Sequence, residues 1–247
     1  ITYPWTAIST NNVHIDSNQI NYGYITVFGS ISNGQNNYFR GNTITNGYYY
    51  GLYLTGYSGI KFNGNTVYMR SNPYYTGAGL YLNGGYTLPP NYFEINNNII
   101  HDVPRYGMYI NATHQSGATG QIYGNMIGGG YNDSVSPEGI YLQGNFWNIY
   151  HNSINLDEYC SSNAGAALYL GTTQTIDIRN NVFANTAVAG NVLWLNSGPN
   201  PGWTFASNVA ITNGGNGSAG TPSSIQMFDT GQISITCGTN NSSGFSR

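Results

Sequence analysis

Eight times along this chain an apolar residue is followed, three positions on, by Asn and, two positions after that, by a second apolar residue. The pattern begins as Ile15-Asp-Ser-Asn18-Gln-Ile20 and Phe39-Arg-Gly-Asn42-Thr-Ile44. It ends as Ile178-Arg-Asn-Asn181-Val-Phe183 and Phe205-Ala-Ser-Asn208-Val-Ala210. Between them stand Asn65, Asn98, Asn125 and Asn152, and the eight are spaced 24, 23, 33, 27, 27, 29 and 27 apart. A period in this range specifies a solenoid, because one such repeat cannot bury its apolar side except against its neighbours. A single domain over 1–247 follows, with rungs over about 11–230 and a C-terminal cap or tail over 231–247.

Two further elements recur in each repeat. One reads Gly51-Leu-Tyr-Leu54, Gly79-Leu-Tyr-Leu82, Gly107-Met-Tyr-Ile110, Gly139-Ile-Tyr-Leu142 and Ala167-Leu-Tyr-Leu170, with weaker copies at Tyr24–Val27, Asn191–Trp194 and Ser224–Met227. The other precedes the Asn, as in Val13-His-Ile15, Ile60-Lys-Phe62 and Ile176-Asp-Ile178. Both are short alternating runs and predict strands with one face buried. Gly and Asn recur at intervals too short for helices.

At a tight corner Asn tolerates the left-handed region, and its amide both donates and accepts. Stacked at the strand spacing of about 4.8 Å, each amide can bond the next. The Asn column is therefore expected to be structural. These corners, together with the Gly–aliphatic–Tyr–aliphatic strands, resemble the right-handed parallel β-helix repeat family, the pectate-lyase-like solenoids, over nearly the whole chain. The resemblance implies an all-β, single-stranded right-handed parallel β-helix of eight to nine rungs. It leaves function open, since polysaccharide lyases, glycoside hydrolases, epimerases, phage tailspikes and adhesins share that fold.

Charged residues make up 6% of the chain, and Lys61 is the one lysine. The net charge of −3 offers no basic stripe for nucleic acid, and no apolar run is long enough for a membrane helix. The neutral Asn, Gly, Ser, Thr and Tyr surface suits an extracellular or cell-surface protein. So do the sequons at Asn111, Asn132, Asn216, Asn240 and Asn241. Cys160 and Cys237 either pair, if the tail folds back along the stack, or remain two buried thiols.

Two groups of residues can carry function. Tyr53, Tyr81, Tyr109, Tyr141 and Tyr169 share one outward register. They form either a stacked stabilising ladder or a surface for a ligand or partner. The loops at 68–78, 101–106, 128–138 and 155–166 align on one edge and hold seven of the fifteen charges. There Asp133, Glu138, Asp157 and Glu158 can supply the acid and the base or nucleophile of a glycoside hydrolase. His101 or Arg105 can serve a lyase as base. No cofactor is required, although the same four acids can hold Ca²⁺ through oxygen ligands. The alternative is a solvated edge. On the strand before the Asn, outward positions run His14, Tyr38, Lys61, Glu94, Gln121, Asn148, Asp177 and Thr204, so Lys61 and Glu94 should pair.

Three readings follow. The first is a structural or adhesive module that associates with itself or with other surface proteins, since residues 1–12 contain no amphipathic helix to cover the first strand edges. The second is a polysaccharide lyase or hydrolase. The third is a noncatalytic carbohydrate-binding module.

Overall fold

The computed structural model describes residues 5–8, 12–28, 37–56, 59–70, 74, 76–87, 89, 91–130, 137–157, 165–171, 174–185, 191–195, 202–212, 226–228, 234–236 and 245–246. Its strands form three eight-stranded sheets whose neighbours all run parallel, each strand pairing with its counterpart one repeat away. Sheet I runs from Trp5–Ile8 and Ile25–Phe28 through Tyr50–Thr55, Ala78–Thr87, Tyr106–His114, Glu138–Gln143 and Ala166–Leu170 to Asn191–Leu195. Sheet II holds the strands before the Asn corner, from His14–Asp16 to Trp203–Ala206, and sheet III those after it, from Gln19–Asn21 to Val209–Thr212. The described residues contain no α-helix. The β-helix class is as expected from the repeats, with eight strands per sheet.

Two details differ from expectation. Trp5–Ile8 adds a strand to sheet I ahead of the first sequence repeat. Of the weak copy at Ser224–Met227 the described part is no part of sheet I: Gln226–Phe228 pairs antiparallel with Ser234–Thr236, which pairs with Phe245–Ser246. Cys160, Cys237 and the sequons at Asn132, Asn216, Asn240 and Asn241 lie outside the described residues, as does most of 1–12.

The Asn column is a continuous ladder. From Asn18 to Asn181, each Nδ2 donates to the Oδ1 of the next Asn at 2.9–3.0 Å. That same Oδ1 also accepts the backbone N–H of the preceding ladder Asn, as from Asn65 to Asn98 at 2.9 Å. The second Nδ2 proton reaches a carbonyl of the preceding rung, as from Asn98 to Phe62 at 2.8 Å. Asn42 through Asn208 are buried. The left-handed conformation falls one residue earlier than expected, on Ser17, Gly41, Gly64, Asn97, Gly124, His151, Asn180 and Ser207. The corner thus divides its labour: one residue makes the turn and the next closes the hydrogen bonds. A Cβ on Gly64 would meet nothing within 4 Å, so φ alone selects glycine there.

Inside, three columns interlock. Phe39, Phe62, Ile95, Ile122, Ile149 and Ile178 come from sheet II, and Ile44, Val67, Ile100, Ile127, Ile154 and Phe183 from sheet III. Paired aliphatics such as Leu80/Leu82 and Ile140/Leu142 come from sheet I. Burying each such side chain contributes about 1.5–3 kcal/mol. Gly51, Gly79, Gly107 and Gly139, each two residues before its tyrosine, admit the next rung. A Cβ on Gly139 would lie 2.5 Å from both the Ala167 carbonyl and the Ile154 side chain.

At the corner between sheets I and II, beside the long strands Ala78–Thr87 and Tyr106–His114, a polar group is buried. His114 is fully buried, edge-on to Trp147 and Phe93, and its Nε2 accepts the Phe93 N–H at 3.2 Å. Trp147 Nε1 donates to the Ala112 carbonyl at 2.9 Å. Burial pulls the His114 pKa down to about 4, and the nearby Asn145 carbonyl offsets part of that effect.

Two outcomes are expected. Asn98→Ala removes the acceptor of the Asn65 N–H and of one Asn65 Nδ2 proton, the other still reaching Phe39 O, at about 1–3 kcal/mol for each buried group left unbonded. It should therefore lower the melting temperature far more than a change at exposed Asn155, and paired thermal melts check this. The second concerns pH. The unfolded chain protonates His114 near 6.5 while the folded chain resists until about 4, so its contribution is intact above 6.5 and is lost as pH falls toward 4. His114→Gln keeps an acceptor without the titration. The stability difference between parent and variant, from denaturant melts, should shift in the variant's favour across that window.

Candidate functional site

The outer face of sheet I carries the most ordered array of side chains on the molecule. Tyr53, Tyr81, Tyr109, Tyr141 and Tyr169 occupy one register, continued by Trp194. Successive tyrosine rings lie 4.6–4.9 Å apart at interplanar angles of 4–14°, and Trp194 follows at 6.3 Å. Parallel strands impose this spacing, and stacking lets each half-buried ring cover the faces of its neighbours. What faces outward is therefore ring edge and hydroxyl. Burial pushes the Tyr81, Tyr109, Tyr141 and Tyr169 phenols above their ordinary pKa, so they remain O–H donors.

Two columns flank the ladder. Two residues after the first four tyrosines stand Thr55, Asn83, Asn111 and Gln143, and after Tyr169 stands Gly171. Asn111 Nδ2 donates to Asn83 Oδ1 at 3.1 Å, and Gln143 Nε2 donates to the Tyr141 hydroxyl. Three residues before each tyrosine stand Tyr50, Ala78, Tyr106, Glu138 and Ala166. Tyr50 packs on Tyr53 at 4.8 Å, and Tyr106 on Tyr109 at 5.1 Å and Tyr141 at 5.5 Å. Strand alternation would turn these residues away from the ladder. Because the glycine and the aliphatic between them both face the core, they turn toward it. The signal was readable as Tyr50-Gly-Leu-Tyr53, Tyr106-Gly-Met-Tyr109 and Glu138-Gly-Ile-Tyr141.

Glu138 is the one charged residue in the strands of sheet I, and it is 5% exposed. Its Oε2 makes no hydrogen bond, and neither does the buried Nε of Arg105 on the preceding rung. Their backbones are joined, Glu138 N donating to Arg105 O at 2.6 Å, while the guanidinium lies over the Tyr106 ring at 4.9 Å from its centre. Burial raises the Glu138 pKa to about 8, with Arg105 opposing. The side chain is therefore a neutral carboxylic acid near pH 7, set among Tyr106, Tyr109, Tyr141 and Tyr169, whose phenols its charge would raise.

The other corner residues take separate places. The corners do stack, through bonds such as Asp102 N to Gly128 O and Ala166 N to Pro137 O. His101 is exposed on sheet III, its Nδ1 2.8 Å from Asp102 Oδ1. Asp157 is exposed and 3.4 Å from Asn155 Nδ2. Asp133 and Glu158 lie outside the described residues. Among the described residues, no three His, Cys, Asp or Glu side chains gather as a metal site would require.

Sheet II carries the paired charges. Its outward column runs from His14 to Thr204 in the expected order. Lys61 Nζ lies 3.5 Å from Glu94 Oε2, Arg40 pairs with Asp16 at 2.9 Å and Arg179 with Asp177 at 2.6 Å. Asn96 and the Tyr123 hydroxyl also donate to Glu94 Oε1.

A family model described as the right handed beta helix region matches residues 6–154, more than half of the chain. The same ladder bonds continue beyond the match through Asn181 and Asn208. Neither curated proteins nor solved structures give a match.

The Glu138 geometry generates a pH test. The folded chain keeps up to about pH 8 a proton that the unfolded chain releases near 4.5. This group's contribution is therefore complete below about 4.5 and is lost as pH rises to about 8. Glu138→Gln should match the parent's melting temperature at pH 4.5 and exceed it increasingly toward pH 8. Parallel curves would show a carboxyl that is solvated or paired.

Proposed function

We propose that this chain, which belongs to the right-handed β-helix family, is a rigid structural and adhesive module of an extracellular, cell-surface or filamentous assembly, and that it meets its partner through the outer face of sheet I. The observation that carries this reading is the stacked tyrosine ladder with its adjoining amide column. A row of fixed hydroxyls and amides repeating at about 4.8 Å, almost without charge, suits a hydrogen-bonding polymer such as a glycan. Its order is set by the fold, so little entropy is lost on contact. The face-to-face stacking argues against sugar rings lying flat on the tyrosines, and in favour of contacts to hydroxyls and ring edges.

Tyr109→Phe with Tyr141→Phe keeps the stack and removes two hydroxyls. Binding to a glycan panel or to intact cell surfaces should weaken about fivefold or more, with the melting temperature unchanged. Thr204→Ala on sheet II should leave binding as it was. Binding that ignores both tyrosine changes would remove sheet I from the reading.

A second reading, a polysaccharide lyase or hydrolase, is favoured by Glu138. A buried, unpaired and neutral carboxyl beside an arginine is what protonation of a leaving oxygen near pH 7 calls for. Release of reducing ends or of an unsaturated product from a uronan or neutral glycan, abolished by Glu138→Gln, would establish it. A parent chain inert on all of them would exclude it.

A further inference from the structure

The three outer faces are chemically unlike. Sheet II holds six charged residues, Asp16, Arg40, Lys61, Glu94, Asp177 and Arg179, and sheet I holds Glu138. The strands of sheet III contain no Asp, Glu, Lys or Arg. Exposed hydrophobic side chains show the reverse distribution. Among the described residues, the large ones are Tyr68, Ile99, Met126, Val182, Val209 and Ile211, all on sheet III, with Tyr22 and Tyr49 at the corners that leave it. Met126 is the most exposed of the sheet III set, at 58%. Single exposed hydrophobics are ordinary on a protein surface, but confinement of six of these eight to the strands of one sheet is not.

Their register is regular. Ile99, Met126, Ser153, Val182 and Val209 follow one another on five consecutive strands in one outward column. The column is symmetric in character about Ser153, with an aliphatic or thioether side chain at one and two rungs on either side.

We propose that sheet III is a self-association face, on which a second copy of this chain packs about a two-fold axis that passes along the strand direction at Ser153. Such an axis maps the column onto itself in reverse. Met126 then meets Val182 of the second copy, Ile99 meets Val209, and each contact occurs twice, as an isologous interface requires. Two observations select a second copy over another partner. The column from Ile99 to Val209 carries no charge, so it meets its own image with no like-charge repulsion and offers an unrelated protein no ionic feature to read. The strand repeat of a second copy also matches this one by construction, so that rows fall against rows over the five rungs from Ile99 to Val209, while Thr66, Thr43 and Gln19 of the same column extend beyond the contact. The face is narrow, three to five residues per strand. A contact this narrow is weak alone and gains strength where many copies are held together.

Sedimentation velocity from low to high micromolar chain concentration tests this. The weight-average sedimentation coefficient should rise with concentration. Met126→Lys and Val182→Glu should each weaken association at least about tenfold, while Thr204→Lys on sheet II should not. The double substitution Met126→Lys, Val182→Glu sets opposite charges against each other across the two-fold axis, and should recover much of the loss. Methionine oxidation gives a readout that needs no variant. Met126 should oxidise more slowly as concentration rises, with buried Met69 and Met108 as internal references. A chain that stays monomeric, or one whose association ignores the single substitutions, overturns the proposal. So does a double variant no tighter than the weaker single, or a Met126 oxidation rate independent of concentration.

Discussion

The structure depends on the buried asparagine ladder. A parallel solenoid must reverse direction three times per rung, and each turn brings backbone groups toward the core with no strand partner. At the corner between sheets II and III a single side chain meets that need. Asn98 donates to Asn125 and to Phe62, accepts twice from Asn65, and its own carbonyl accepts from Met126. An amide with both halves engaged costs nothing to bury, whereas the same amide with one half idle would cost about 1–3 kcal/mol. Each rung therefore relies on the one beside it, and sheets I and III inherit their alignment from that corner.

The alignment places unlike chemistry on three faces. Sheet II satisfies its charges locally, as in the Lys61–Glu94 and Arg40–Asp16 pairs. Sheet I turns repetition into an aromatic stack, and sheet III leaves aliphatic rows uncovered. The outward columns follow the repeat, since a residue at one register recurs one rung later with the same orientation. Glu138 departs from that regularity. It stands where neighbouring rungs carry Tyr106 and Ala166, and it is the one position in sheet I at which the ladder is lined by a carboxyl rather than by rings or methyl groups.

Most of the fold was legible because a repeat states its contacts many times over. The Asn column, the tyrosine register and the order from His14 to Thr204 could all be read from spacing alone. What spacing alone did not convey were departures from strict alternation, although the pattern Tyr50-Gly-Leu-Tyr53 carried them. Gly139 and Ile140 both face the core, which carries Glu138 from an apparent corner loop onto the tyrosine face. The turn residue at each corner escaped notice because Ser, Gly, Asn and His share no side-chain property beyond reaching φ between +52° and +65°. Asp157 and His101 looked like neighbours of Glu138 because insertions at one corner align. The corner, however, has two sides, and these residues lie on the other one.

The amide ladder also has a direction. From Asn18 to Asn181 every side chain sends one Nδ2 hydrogen toward the C-terminal rung, and every acceptor Oδ1 from Asn42 to Asn208 faces the N-terminal one, without a reversal. The small dipoles therefore add rather than cancel, and each bond polarises the next. A rod built this way is vectorial. The ladder has unlike ends, Asn18 at one and Asn208 at the other, and only an amide in the same orientation extends it.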